Sequence, residues 1–398
     1  MIHAIVKIIL IIAVCGAFSS SIYYLLCLWS AAAFVRQRKA AGEGLFDSRS
    51  GQVRPTQDLP PVTILKPLKG TDPEIYESFR SHCLQDYPEY EIIFGVSDPG
   101  DPAVAFVKQL QSEFLLRDIR LAVCPRLLGP NAKVSNLAQM AAVARHGHLV
   151  VNDSDIRVEP DYLRSLIAPL SNEKIAMVTC LYRGIAAPTL GSRLESLGIS
   201  TDFCPSVLAA RQLEGIRFGL GSTLAFRRAH LEKIGGFESL LDYLADDYEL
   251  GKRISELGEV QLSDVVVETY LPAYGLREFF AHQIRWARGV RDSRMGGYFG
   301  LVVTFGLMWS CLVLLAARGA PWAWGVFAVT VLLRVAMAVT VGGAVLQDRQ
   351  LLKHLWLWPV RDLIAVAVWL ASFAGHTVTW RGDSFELKNG KLKRLAPE

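Results

Sequence analysis

His148-Leu149-Val150-Val151-Asn152-Asp153-Ser154-Asp155 is the stretch on which the fold turns. A short apolar run is followed at once by two acids one residue apart, which predicts a buried strand ending in a polar loop. In extended chain, residues i and i+2 project to the same side, so Asp153 and Asp155 are expected to face one ligand. Two hard carboxylate donors at a strand end suit Mg2+ or Mn2+ bridging a diphosphate. A loop with Asx turns gives the same residues a plainer role.

Outward from this stretch the pattern repeats. Val62-Thr63-Ile64-Leu65, Glu91-Ile92-Ile93-Phe94-Gly95-Val96 and Ala176-Met177-Val178-Thr179 are further short β-rich runs, and residues 102–116 and 133–144 between them are helix-like. Buried strands alternating with helices predict an α/β domain whose mostly parallel sheet is covered on both faces. Ligands of such sheets sit at the carboxyl ends of the strands. The strand ending at Val96 also runs into an acid, in Ser97-Asp98-Pro99-Gly100-Asp101. Asp98 is placed there to accept hydrogen bonds from a base or ribose, and a Pro-Gly turn explains it equally well.

Leu244-Ala245-Asp246-Asp247-Tyr248-Glu249-Leu250 precedes another helix-like stretch. Acids there favour a helix N-terminus by about 0.3–1 kcal/mol. The sharper reading makes Asp247 a general base for an alcohol, a role typically worth ~10²–10⁴-fold. His282-Gln283-Ile284-Arg285-Trp286-Ala287-Arg288 supplies a guanidinium for phosphate oxygens and an indole to stack on a sugar or wall an acceptor site. On spacing alone, a juxtamembrane amphipathic helix with Arg and Trp anchors is the favoured reading.

The ends differ from the middle. Of 398 residues 51% are apolar, and the excess lies in a run at 5–34 and in the stretch after 294. The first run exceeds the roughly 20 residues that cross a bilayer. It ends in Arg36-Gln37-Arg38-Lys39, and a cleaved leader would have a shorter apolar core. Basic residues after the span place the following domain in the cytoplasm. The expected order is an anchor at 1–39, a linker at 40–60, a cytoplasmic domain at 61–294, membrane segments at 295–378 and a basic cytoplasmic tail at 379–398. Residues 299–317 and 322–346 read as full spans, whereas 355–378, interrupted by Arg361 and Asp362, reads as re-entrant or interfacial. A net charge of +4 and no interleaving of arginine with aromatics argue against a nucleic-acid partner. The seven cysteines include no C-x-x-C pair and read as reduced thiols.

In chain order these pieces resemble the ceramide glucosyltransferase family (glycosyltransferase family 21). The likeness includes Val62-Thr63-Ile64-Leu65-Lys66-Pro67-Leu68-Lys69-Gly70, Asp153-Ser154, Ile156-Arg157-Val158, Asp247-Tyr248, Ile284-Arg285-Trp286 and Thr379-Trp380-Arg381. It implies a single GT-A-like nucleotide-sugar domain flanked by transmembrane helices. It also implies inverting transfer from a UDP-sugar to a lipid hydroxyl, with a divalent cation (Mg2+ or Mn2+) as cofactor. The residues it implicates in donor binding are Lys66, Asp98, Lys133, Asp153, Asp155 and Arg285, with metal contact at Asp153 and Asp155. Asp247 is implied as the catalytic base, and Asp246, His282, Gln283 and Trp286 as the acceptor-site wall. Two positions depart from the pattern: His282 stands where the family usually has Gln or Arg, and Asp155 stands where the animal enzymes have Gly. Within the family, Thr179-Cys180-Leu181-Tyr182-Arg183-Gly184, Leu244 to Tyr248 and His282 to Arg288 are similar to the bacterial hopanoid-biosynthesis branch. That similarity implies transfer of N-acetylglucosamine to bacteriohopanetetrol at the bacterial inner membrane. Transfer of glucose to ceramide is the alternative.

Overall fold

The computed structural model of the chain describes residues 1–45, 59–380 and 383–395. Residues 46–58 of the expected linker, and Arg381, lie outside the described residues. The chain divides into two compact units. One comprises Arg38–Ala187, Glu214–Pro272 and Thr379–Glu398, and the other Met1–Gln37, Pro188–Leu213 and Ala273–Val378. The stretch 61–294, expected as one domain, is therefore shared between them. The reason is apolar: Leu194 and Leu197 of helix Leu190–Gly198 are buried in one cluster with Phe279, Leu351 and Leu357, all of the helical unit.

The first unit is built on β1 (Val62–Leu68), β2 (Tyr90–Val96), β3 (Asp118–Val123), β4 (His148–Val151), β5 (Ile156–Arg157), β6 (Ile175–Ile185), β7 (Leu224–Arg227) and β8 (Glu259–Tyr270). They form one sheet in the order β3-β2-β1-β4-β7-β6-β8-β5. β3, β2, β1 and β4 run parallel, as do β6 and β8. β7 is antiparallel to β4 and β6, and β5 to β8. The architecture is thus α/β with a mixed, mostly parallel sheet. Every residue of β1 and β2 is buried, which requires cover on both faces and accounts for their apolar runs. Helix Ile75–Cys83 supplies part of that cover, with the Phe79 ring centroid 4.7 Å from that of Phe94. Such a pair contributes about 0.5–1.5 kcal/mol beyond its buried area. Register pairs Leu68↔Val96 and Leu65↔Val151 bring the carboxyl ends of β1, β2 and β4 to one edge. The loops carrying Asp98 and Asp153 leave from that edge.

The basic C-terminal stretch is folded into β9 (Thr377–Trp380), β10 (Asp383–Lys388) and β11 (Lys391–Arg394). β10 and β11 are antiparallel, joined by Asn389-Gly390 with φ of 53° and 75°. A two-residue turn with both φ positive matches the natural twist of the strands, and Asn-Gly is its preferred sequence.

The second unit is helical. Its helices long and apolar enough to cross a membrane lie at His3–Ala40, Pro321–Val345 and Leu351–Ser372. The expected span at 299–317 is instead broken, with Met295–Thr304 and Gly306–Ala316 meeting at 52°. The segment expected to stop short reaches 22 residues. Its interrupting charges are paired inside the bundle: Arg334 donates to both oxygens of Asp362 and lies 2.7 Å from Asp202 Oδ1, and Arg361 lies 3.3 Å from Asp202 Oδ2. Charges paired within a bundle do not forbid a crossing.

Candidate active site

β4 ends at Val151, and the two acids beyond it are not extended. Ile156 N donates to the Asp153 carbonyl at 3.4 Å, closing a turn between β4 and β5. The i and i+2 geometry of extended chain therefore does not describe this pair. Asp153 turns toward Lys133, whose ammonium is 2.8 Å from Oδ1. Asp155 Oδ2 accepts from the Thr269 hydroxyl on β8 at 2.5 Å. Ser154, between them, donates to Asp72. Lys66 is fully buried in β1 and donates to the Asp153 carbonyl at 2.9 Å. In this position it supports the loop that carries Asp153. Burial pulls Lys66 down to about 7, against the opposing fields of Asp155, Asp153 and Asp72.

Asp246 and Asp247 open helix Asp246–Ile254. The Lys133 ammonium is 3.2 Å from Asp246 Oδ2, so one cation joins acids from two loops. A Cβ placed on Gly221 would stand 3.0 Å from Asp153 Oδ2 and 3.0 Å from Asp247 Oδ2. The two carboxylates therefore converge over bare backbone at Gly221. The helix is seated just as closely: a Cβ on Gly251 would meet Gly219 N at 1.9 Å. Asn131 caps helix Ala132–Val143 by accepting from Val134 N at 3.1 Å, a contact typically worth about 1 kcal/mol. Its amide donates to the Tyr243 carbonyl at 2.8 Å, tying the Lys133 helix to the loop before Asp246.

The electrostatics follow from this crowding. Burial, then Asp246, push Asp247 up to about 6, while Lys133 and the Tyr248 amide pull the other way. Burial, then Asp153, push Asp155 up to about 6 against the Thr269 hydrogen bond. Burial disfavours the Lys133 ammonium, yet the fields of Asp153, Asp246 and Asp247 outweigh it and hold the lysine protonated. Among the described residues, no three or more His, Cys, Asp and Glu side chains are grouped to hold a metal ion.

Asp98 lies at the same sheet edge, exposed, with Oδ1 accepting from Gly100 N at 2.8 Å in an Asx turn. The motif at 282–288 belongs to the helical unit, on helix Leu276–Ser293. There Tyr274 stacks on His282 at 5.5 Å, and the Trp286 ring lies 5.4 Å from His282 and 6.2 Å from Phe203. Trp286 keeps 38% of its surface exposed, and Arg285 is engaged on the same helix. Gln283 donates to the buried Glu195 at 2.9 Å.

Gly221, Thr269, Asp72 and Glu195 were not singled out from the sequence. The pair of glycines in Gly219-Leu220-Gly221 ahead of β7 is the one local signal, since glycine beside a strand often marks a close approach. The other three gain their roles only through long-range contact.

The chain is 22% identical over 355 residues to "Ceramide glucosyltransferase 1" of Caenorhabditis elegans, covering 85% of this chain and 74% of that protein. It is 26% identical over 208 residues to "Ceramide glucosyltransferase 3" of the same organism, covering 52% of this chain and 45% of that one. Among solved structures, a mannosyltransferase from Pyrobaculum calidifontis in complex with GDP-Man and Mn2+ superposes with a TM-score of 0.53 at 18% identity, over 92% of this chain and 99% of that one. This likeness carries the fold, a GT-A-like one. The family described as "Glycosyl transferase family 21" matches residues 12–393. With nearly its whole length matched, the chain belongs to glycosyl transferase family 21 and is a glycosyltransferase.

Proposed function

We propose that this enzyme moves one sugar from a UDP-sugar to a lipid hydroxyl with inversion, at the cytoplasmic face of a bacterial inner membrane. The preferred pair is N-acetylglucosamine and bacteriohopanetetrol. The observation that carries the chemistry is the convergence of Asp153 Oδ2 and Asp247 Oδ2 over Gly221, with Lys133 bridging Asp153 and Asp246. Asp247 takes the proton of the acceptor hydroxyl as its oxygen attacks the anomeric carbon. The bond from that carbon to the diphosphate breaks, and its electron pair leaves on the UDP oxygen. Lys133 supplies fixed positive charge beside the acids, and Arg285 is assigned to the departing diphosphate. Asp98 is assigned to the nucleoside, and Asp246, His282, Gln283 and Trp286 to the acceptor wall.

The donor set fits a hard divalent cation. Asp153 has one oxygen on Lys133 and the other turned to the Gly221 face, and Asp155 stands beside it in the same turn. Mg2+ usually takes one or two carboxylates and completes its shell from water and substrate phosphate, so a larger protein cluster is not required. Asp153 and Asp155 would hold the ion, which would neutralise charge on the leaving diphosphate.

The hopanoid assignment rests on the similarity of residues 179–184, 244–248 and 282–288 to that branch. The names of the C. elegans relatives favour a second reading, glucose transfer to ceramide. Incubation with UDP-N-acetylglucosamine or UDP-glucose, and with bacteriohopanetetrol or ceramide, separates the two by product mass. Asp247→Asn is expected to lose ~10²–10⁴-fold in kcat while still binding UDP, the range typical of a lost general base. Near-wild-type turnover by a folded Asp247→Asn enzyme would remove the base assignment.

A further inference from the structure

The C-terminal hairpin reaches the loop that carries the base. Leu392 N donates to the Asp242 carbonyl at 2.6 Å, and Leu244 N donates to the Gly390 carbonyl at 3.1 Å. Between them Tyr243 and Lys391 form an antiparallel bridge. Residues 242–244 thus pair with the hairpin as a strand would, and Asp246 and Asp247 follow directly. Over the Tyr243 ring, Lys391 Nζ stands 5.4 Å and the Arg253 guanidinium carbon 5.3 Å from the centroid. Both lie within the distance at which a ring attracts a cation. Arg253 belongs to helix Asp246–Ile254, so one aromatic ring joins hairpin, loop and helix. Asn131 takes the Tyr243 carbonyl from the Lys133 side. The hairpin is itself anchored, with Phe385, Leu387 and Leu392 buried.

We propose that the hairpin β10–β11, acting through Tyr243, is the positioning element that sets where Asp247 stands relative to Lys133 and Asp153. Its residues do not touch the reacting atoms; they fix the loop that does. The proposal deepens the reading of Asp247 as the base and rests on it for its effect on rate.

The test compares the full chain with a chain ending at Trp380, with Tyr243→Ala and with Tyr243→Phe. Hydrogen exchange of residues 242–248 is expected to accelerate in the shortened chain and in Tyr243→Ala, while amides of β1 and β4 keep their protection. In these two proteins kcat is expected to fall about 10²-fold, the scale of a catalytic group displaced by an ångström. Affinity for UDP with Mn2+ is expected to stay unchanged. Tyr243→Phe keeps the ring and is expected to restore both exchange and turnover. The proposal is overturned if Tyr243→Ala leaves residues 242–248 protected and kcat unchanged. It is equally overturned if β1 and β4 lose protection together with the loop, or if UDP affinity falls in step with kcat, because either marks a general loss of stability. Should the unaltered enzyme transfer no sugar to any lipid, the functional reading fails alone, and the exchange comparison still decides the role of the hairpin.

Discussion

A carboxylate can take a proton from an alcohol only when it carries none itself. Burial and Asp246 raise Asp247 to about 6, and Lys133 opposes the rise. The group is therefore protonated and inactive as a base below that pH and ionised above it. For the acceptor, log kcat/KM is expected to climb with unit slope up to about pH 6 and then level. Lys133→Gln removes the opposing cation, so its midpoint should move to higher pH. A pH–rate series on both proteins checks this; a limb that stays in place in Lys133→Gln removes the coupling. Gly221 makes a separate prediction. A methyl group there meets both carboxylates at 3.0 Å, so Gly221→Ala should lower turnover and UDP affinity with little change in Tm, read by calorimetry and melting. Asp153 and Asp247 were legible in the sequence because an acid after an apolar run or before a helix leaves a local mark. The burial of Lys66, whose ammonium stands 6.0 Å from the Phe79 ring of the covering helix Ile75–Cys83, depends on tertiary packing that no local pattern displays.

Helix Leu276–Ser293 presents the second group of candidate residues, and its underside is held by charge. Gln283 Nε2 donates to Glu195 Oε2 at 2.9 Å, His282 Nδ1 stands 3.2 Å from Glu195 Oε1, and Arg361 donates to Gln283 Oε1 at 3.1 Å. Gly198 makes room for that guanidinium, since a Cβ there would lie 2.5 Å from Arg361 Nε. Glu195→Ala frees His282 and Gln283 together, and a buried polar group left without its partner costs about 1–3 kcal/mol. The expected result is a raised KM for the lipid with unchanged UDP affinity, and a milder effect from Glu195→Gln, which keeps one carbonyl oxygen for Gln283. Equal increases in donor and acceptor KM would remove the assignment of this face to the acceptor. Part of the architecture is readable locally: the β-rich runs at 62–65, 91–96, 148–151 and 176–179 fall within β1, β2, β4 and β6, and the amphipathic helix expected at 282–288 falls within Leu276–Ser293. The hairpin had a local signal in Asn389-Gly390 that the surrounding basic charge obscured. The break at Phe305 and the pairing of Arg334 with Asp362 are tertiary, and hydropathy alone does not see them.

At the scale of the whole molecule, the hairpin constrains how the chain threads the bilayer. Residues 242–244 and the hairpin at 390–392 are bonded within one unit, so the chain at Pro272 and at Thr379 must be on the same side of the membrane. A chain that leaves one face and returns to it crosses an even number of times. Between these points stand two straight helices able to cross, Pro321–Val345 and Leu351–Ser372, and the bent pair Met295–Thr304 and Gly306–Ala316. Two crossings satisfy the parity and a third breaks it, so the bent pair is expected to enter and leave through one face. The 52° break suits that path, and in the cytoplasmic orientation proposed above that face is the one that bears the exposed Lys388, Lys391, Lys393 and Arg394. Single cysteines at Arg318→Cys, Arg349→Cys and Lys393→Cys test it, with Cys15 and Cys311, the thiols that are not buried, replaced by serine. An impermeant maleimide applied to sealed cells should label Arg349→Cys alone, and permeabilisation should open the other two. Labelling of Arg318→Cys in sealed cells, with Lys393→Cys protected, would make the bent pair a crossing. It would then break the parity that the pairing of hairpin and loop imposes.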